Sequence, residues 1–108
     1  MKVIRDLLGP EDDPGHAAYV ARTGNSYDVE PPVAANMVPL LLIGKLHEEA
    51  EEIRESMTDP VEYADALQVL MDLATLNAVP WSEIEHQRRE KEVRKGGFLR
   101  GKVLRKEA

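Results

Sequence analysis

From Val38 onward the chain repeats apolar side chains at helical spacing. Leu42, Leu46, Ala50, Ile53 and Met57 recur three or four residues apart, while Glu48, Glu51, Glu52 and Glu55 fill other directions. The pattern predicts a helix over about 38–57 that begins near Pro39, because proline is tolerated only in a first turn. A second helix is expected with Asp59 as N-cap, Pro60 at its first position and Glu62 three residues past the cap, running to about Asn77. Its residues Ala64, Ala66, Leu67, Val69, Leu70, Met71, Leu73, Ala74 and Leu76 leave almost no polar side. Such a helix needs cover on most of its surface, which a 108-residue chain is too small to supply alone. A second copy of the chain is the expected cover, as a homodimer or tetramer. A third helix is predicted from Ser82, with Glu85 at a cap-like spacing, to Gly96-Gly97. Apart from Ile84 and Val93 it is polar.

The flanking segments are less regular. Gly9, Pro10, Pro14, Gly15, Gly24, Asn25, Pro31 and Pro32 mark the region before the first long helix as loop. Within it, 16–22 fits a short helix or a strand. Lys2 to Leu7 reads as a short strand or an incipient helix, and Phe98 to Arg105 as an extended arm or short strand. The fold class that follows is all-α: one domain over 1–108, an antiparallel helical bundle completed by oligomerisation, with short extended segments at the termini.

The absence of cysteine removes disulfides, thiolate metal sites and a cysteine nucleophile from consideration. Residues 1–8 carry Lys2, Arg5 and Asp6 and do not resemble a signal peptide. No stretch approaches the ~18 apolar residues of a membrane span. A cytoplasmic protein without a membrane partner is expected. The net charge of −6 argues against general nucleic-acid binding, which grows with the number of phosphates neutralised. The charge is uneven, however. Acids concentrate between Glu48 and Asp72, and Arg88, Arg89, Lys91, Arg94, Lys95, Arg100, Lys102, Arg105 and Lys106 lie near the C-terminus. Such a basic segment is either a solvated tail or a partner for a small polyphosphate.

The acidic residues carry the most specific pattern. Glu49 and Glu52 are three apart on the first long helix, and Glu62 and Asp65 repeat the spacing on the next. A short connection makes these helices neighbours, so the two pairs converge. Two carboxylates about 4 Å apart repel by about 4 kcal/mol at an effective dielectric of about 20, so four together require a cation. Oxygen-only ligands suit Mg²⁺ or Mn²⁺. His47 is read as structural, and Glu51 as a surface partner of Arg54. Glu62 alone would serve as a capping acid. Asp65, between Ala64 and Ala66 on an apolar helix, needs a partner. Asp72, two turns further, either touches the site or pairs with a basic residue.

Glu48-Glu49-x-x-Glu52 followed by Glu62-x-x-Asp65 resembles the signature of the all-α MazG-like nucleoside triphosphate pyrophosphohydrolases. Lys2-Val-Ile-Arg5-Asp6 is similar to the opening of a phosphoribosyl-ATP pyrophosphohydrolase-like branch. Lys45-Leu46-His47-Glu48-Glu49, Asp65 to Leu70, and Arg88 through Gly96-Gly97-Phe98 resemble further segments in the same order. The chain departs from that pattern over Gly9 to Pro32, and in having Lys95 rather than arginine directly before Gly-Gly.

The resemblance implies hydrolysis of a nucleotide's α–β phosphoanhydride to monophosphate and pyrophosphate, a house-cleaning or pool-controlling activity. It implies Mg²⁺, or Mn²⁺, held by Glu49, Glu52, Glu62 and Asp65, with Glu48 orienting or deprotonating the attacking water. It further implies Lys91, Arg94 and Lys95 at the substrate phosphates, with Lys2 and Arg5 beside them. The rival expectation is a non-catalytic nucleotide-binding or regulatory helical module. Base and sugar preference are not legible, although Trp81 and Tyr27 are rings able to stack on a base. Trp81 reads equally well as a hydrophobic staple ahead of the Ser82 cap.

Overall fold

A computed structural model describes residues 3–106. Among them the regular structure is entirely helical: α1 His16–Thr23, α2 Val38–Glu55, α3 Pro60–Leu76 and α4 Trp81–Lys95, with single 3-10 turns at Pro10–Asp12 and Ala35–Met37. The all-α expectation holds, and no strand forms among the described residues. The opening segment has no regular element beyond a turn closed by Leu8 N–H to the Arg5 carbonyl at 3.0 Å. Beyond α4 the chain turns at Phe98–Gly101, again with a 3.0 Å backbone bond. The expectation for Lys2 lies outside the described residues.

The two compact units of the chain meet within α3, the first reaching Leu73 and the second starting at Ala74. The first holds everything that the acidic pattern concerns. The 16–22 segment, ambiguous in sequence, is helical and ends at Gly24, whose φ of 72° suits a residue without a Cβ. Its surroundings are tied by a small aromatic cluster. The Tyr27 hydroxyl donates to Asp13 Oδ2 at 2.6 Å, and its ring meets His16 and Tyr19 edge-on at 4.6 and 5.2 Å. The bond to Asp13, with some burial, pushes the Tyr27 hydroxyl up to about 12.

Helix α2 opens as its sequence dictates, with Pro39 in the first turn, and stops at Glu55 as Ser56 N–H closes onto the Glu52 and Ile53 carbonyls. The four residues Ser56 to Asp59 connect it to α3. Asp59 caps as expected: its Oδ1 accepts from Val61 N–H at 2.9 Å, and Pro60 takes the first helical position. The Tyr63 hydroxyl fastens the connection by donating to the Met57 carbonyl at 2.7 Å.

The apolar stripe of α2 is covered only in part: Leu42, Leu46 and Ile53 are half-buried, while Ala50 and Met57 are exposed. On α3 only Val69 is a buried hydrophobic residue, and Leu67, Leu70, Met71 and Leu76 stay open. The single chain leaves uncovered the surface that the sequence marks for burial.

In the second unit α3 closes with backbone bonds from Ala78 to Thr75 and from Val79 to Ala74, a Schellman arrangement with Ala78 at φ 55° where glycine is usual. The cap of α4 is Pro80 rather than Ser82, two residues earlier than the sequence suggests, and the helix begins at Trp81. It ends before Gly96 at φ 77°.

Candidate metal centre

Helices α2 and α3 bring Glu49, Glu52, Glu62 and Asp65 together. One carboxylate oxygen from each lies within 4.8 Å of all the others. The reason is local: each pair is three residues apart on its helix, and the short Ser56–Asp59 connection places the end of α2 beside the start of α3. This cluster could hold a metal ion.

Glu49 is the anchor. The residue is 3% exposed, and its Oε2 is buried with no hydrogen-bond partner. The same holds for Glu62 Oε2. Orphaned, buried carboxylate oxygens are costly unless a cation meets them, so the donor set fits a hard divalent ion. Burial pushes the Glu49 carboxyl above the ordinary glutamate range; Lys45 pulls it back and the adjacent Glu52 carboxylate pushes it further up.

Two side-chain cations already touch the cluster. Lys45, one turn before Glu49 on α2, reaches it at 3.0 Å and Glu48 at 3.3 Å. Burial pulls the Lys45 ammonium down, but the hydrogen bond to Glu49 and the charges of Glu48 and Glu49 outweigh it and hold it above its usual value. Arg5 donates from Nη2 to Asp65 Oδ1 at 2.6 Å, across 60 residues of sequence. The partner that Asp65 required is therefore an arginine from the opening segment. In the sequence Lys45 is marked only by a resemblance. Its position four residues before Glu49 and three before Glu48 was the available signal.

The remaining expected residues are distributed as follows. Glu48 lies outside the four-carboxylate set, half-buried against Lys45. His47 is exposed and contributes nothing to the cluster. Asp72 accepts from Gln68 Nε2 at 3.1 Å on α3, away from the cluster. Glu51 faces Arg54 at 3.7 Å, a surface pair.

In the second unit, α4 sorts its cations. Arg88 and Arg89 are both engaged by Glu85, at 2.5 and 3.2 Å, and Arg88 also approaches Glu92 at 3.6 Å. These contacts, with Arg88 first, hold the Glu85 carboxyl below its ordinary value. Lys91, Arg94 and Lys95 are exposed and form no ion pair among the described residues. No helix among the described residues is long and apolar enough to cross a membrane.

No family model, curated protein or solved structure matches the chain.

Proposed function

We propose that the chain is a Mg²⁺-dependent nucleotide pyrophosphohydrolase of the MazG-like kind, cleaving a nucleoside triphosphate or related nucleotide to monophosphate and pyrophosphate. The observation that carries this reading is the convergence of Glu49, Glu52, Glu62 and Asp65 with buried, unpartnered oxygens on Glu49 and Glu62. Mn²⁺ suits the same all-oxygen donors.

A divalent ion bound there supplies charge that offsets the negative charge on the phosphate oxygens. The four carboxylates fix its position, and Lys45 orients Glu49 and Glu48. Glu48 stands beside the cluster as the base that takes a proton from the attacking water. The water oxygen forms the new bond to phosphorus, and the bridging oxygen leaves with pyrophosphate. Lys91, Arg94 and Lys95 are the cations for the phosphates, since Arg88 and Arg89 are already committed to Glu85. Arg5 keeps further N–H groups for the same purpose after donating one to Asp65.

Purified protein incubated with Mg²⁺ and a nucleotide panel that includes phosphoribosyl-ATP should release pyrophosphate from at least one member. Tight nucleotide binding without turnover would leave the non-catalytic module in its place. Changing Lys91 or Arg94 to Ala is expected to lower turnover by about ten- to a hundred-fold, the equivalent of a charge-assisted hydrogen bond of about 1.5–3 kcal/mol. Steady-state rates at fixed moderate salt check this. A loss of less than about two-fold in the double variant would return α4 to a solvated surface, where substitutions cost within about 0.5 kcal/mol.

The same reading includes self-association, a bundle completed by a second copy laid on the apolar surface that α2 and α3 leave open. Leu40 and Ile43 on α2 and Leu67 and Leu70 on α3 are all exposed in the single chain. At about 25 cal/mol per Å² such surface favours burial strongly. Light scattering at micromolar concentration should give a multiple of the monomer mass. A folded monomer would refute it.

A further inference from the structure

The Arg5 contact bears on how many ions the acidic cluster takes, a question that rests on the metal-site reading above. We propose that Arg5 is a resident cation of the site, standing where a second metal ion would otherwise bind, so that the four carboxylates hold one divalent ion.

Geometry supplies the first argument. The four ligand oxygens lie within 4.8 Å of one another. Opposite ligands of one Mg²⁺ stand about 4.2 Å apart, twice a bond of about 2.1 Å. Two ions sharing a site are about 3.5–4 Å apart, so their outer ligands span roughly 8 Å. One oxygen from each carboxylate thus fits a single coordination sphere, and a second ion would need the outer side of the cluster, where Arg5 meets Asp65.

Charge supplies the second. The ligands bring four negative charges, of which Lys45 at 3.0 Å from Glu49 and Arg5 at 2.6 Å from Asp65 balance two. The remaining two match one divalent ion. Glu48 adds a fifth carboxylate, but it shares Lys45, and its side chain is 32% exposed, where water screens it. The Arg5 contact is also tertiary, linking the opening segment to α3, rather than a pairing of helix neighbours. It engages Oδ1 of Asp65, and a carboxylate's two oxygens offer about four acceptor sites, which leaves capacity for a metal.

The test counts ions without reference to turnover. The full chain is titrated with Mn²⁺, and free Mn²⁺ is read from its electron paramagnetic resonance signal. The wild type should saturate at one ion per chain. Arg5→Gln, which removes a charge from a side chain that is 58% exposed, should take up two. Arg5→Lys, which keeps the charge, should return to one. A wild type that binds two ions overturns the inference and leaves the metal site standing, as does an Arg5→Gln variant that stays at one. A wild type that binds none overturns the metal site itself.

Discussion

Replacing Glu52 or Asp65 by alanine is expected to abolish pyrophosphate release while the protein stays folded. Removing an outer partner of a bound metal typically costs about 10–100-fold, so removing a ligand should exceed about 100-fold. The fold has little reason to suffer. Glu52 is half-buried on a helix that alanine favours, and its loss relieves repulsion against Glu49. Asp65→Ala frees Arg5, whose side chain is already mostly exposed. Glu51→Ala is the matched control, because Glu51 lies on α2 outside the cluster and faces only Arg54. That variant should change turnover by less than about two-fold, the scale of a surface substitution. Circular dichroism and a pyrophosphate assay on the three variants decide the matter. Full turnover by both ligand variants would remove the metal centre from the mechanism.

The parts of this fold that were readable from sequence are those in which short-range chemistry dominates. Asp59 and Pro60 start α3 because a carboxylate at the cap and a ring that lacks an N–H both suit a first turn, and the structure places them there. The stripe through Leu42, Leu46 and Ile53 likewise marks α2. The cap of α4 was misplaced by two residues because Ser82 looks like a cap, yet Pro80, with its extended backbone, takes that position. The 16–22 segment stayed ambiguous because its helix is short, and what surrounds it is a hydrogen bond from Tyr27 to Asp13 made 14 residues apart. Contacts of that kind leave no periodic trace.

The same division applies to the site. Glu49, Glu52, Glu62 and Asp65 were legible because an i, i+3 repeat on two helices joined by a short connection forces the four together. Arg5 was legible as a cation but not as the partner of Asp65, since nothing local ties two residues 60 positions apart. The apolar character of α3 was plain, and among the described residues Val69 is its only buried hydrophobic side chain. Lys91, Arg94 and Lys95 were marked in the sequence only through the resemblance, and on α4 they are exposed cations while Arg88 and Arg89 hold Glu85.

Adding Mg²⁺ or Mn²⁺ at constant ionic strength is expected to raise the thermal midpoint of the protein by on the order of 10 °C. A ligand at about a hundred times its Kd stabilises the folded state by about 2.7 kcal/mol, and each kcal/mol moves a domain of this size by about 4–8 °C. Monovalent salt will not substitute. Carboxylate oxygens within 4.8 Å of one another are closer than the Debye length of about 10 Å at 0.1 M, so screening between them is weak. The shift should disappear in the Glu52→Ala variant and reverse with a chelator. Its dependence on pH follows from Glu49. Burial raises the carboxyl's pKa in the folded, metal-free protein, so this group favours the metal-free fold most in acid and ceases to do so as pH rises through the elevated value. Metal binding needs the same carboxyl deprotonated. The metal-induced shift should therefore be largest near neutrality and shrink as pH falls through a range above that of an ordinary glutamate. Melting curves at several pH values, with and without Mn²⁺, measure both effects. Identical midpoints with and without metal at neutral pH would show that the four carboxylates do not form a metal site.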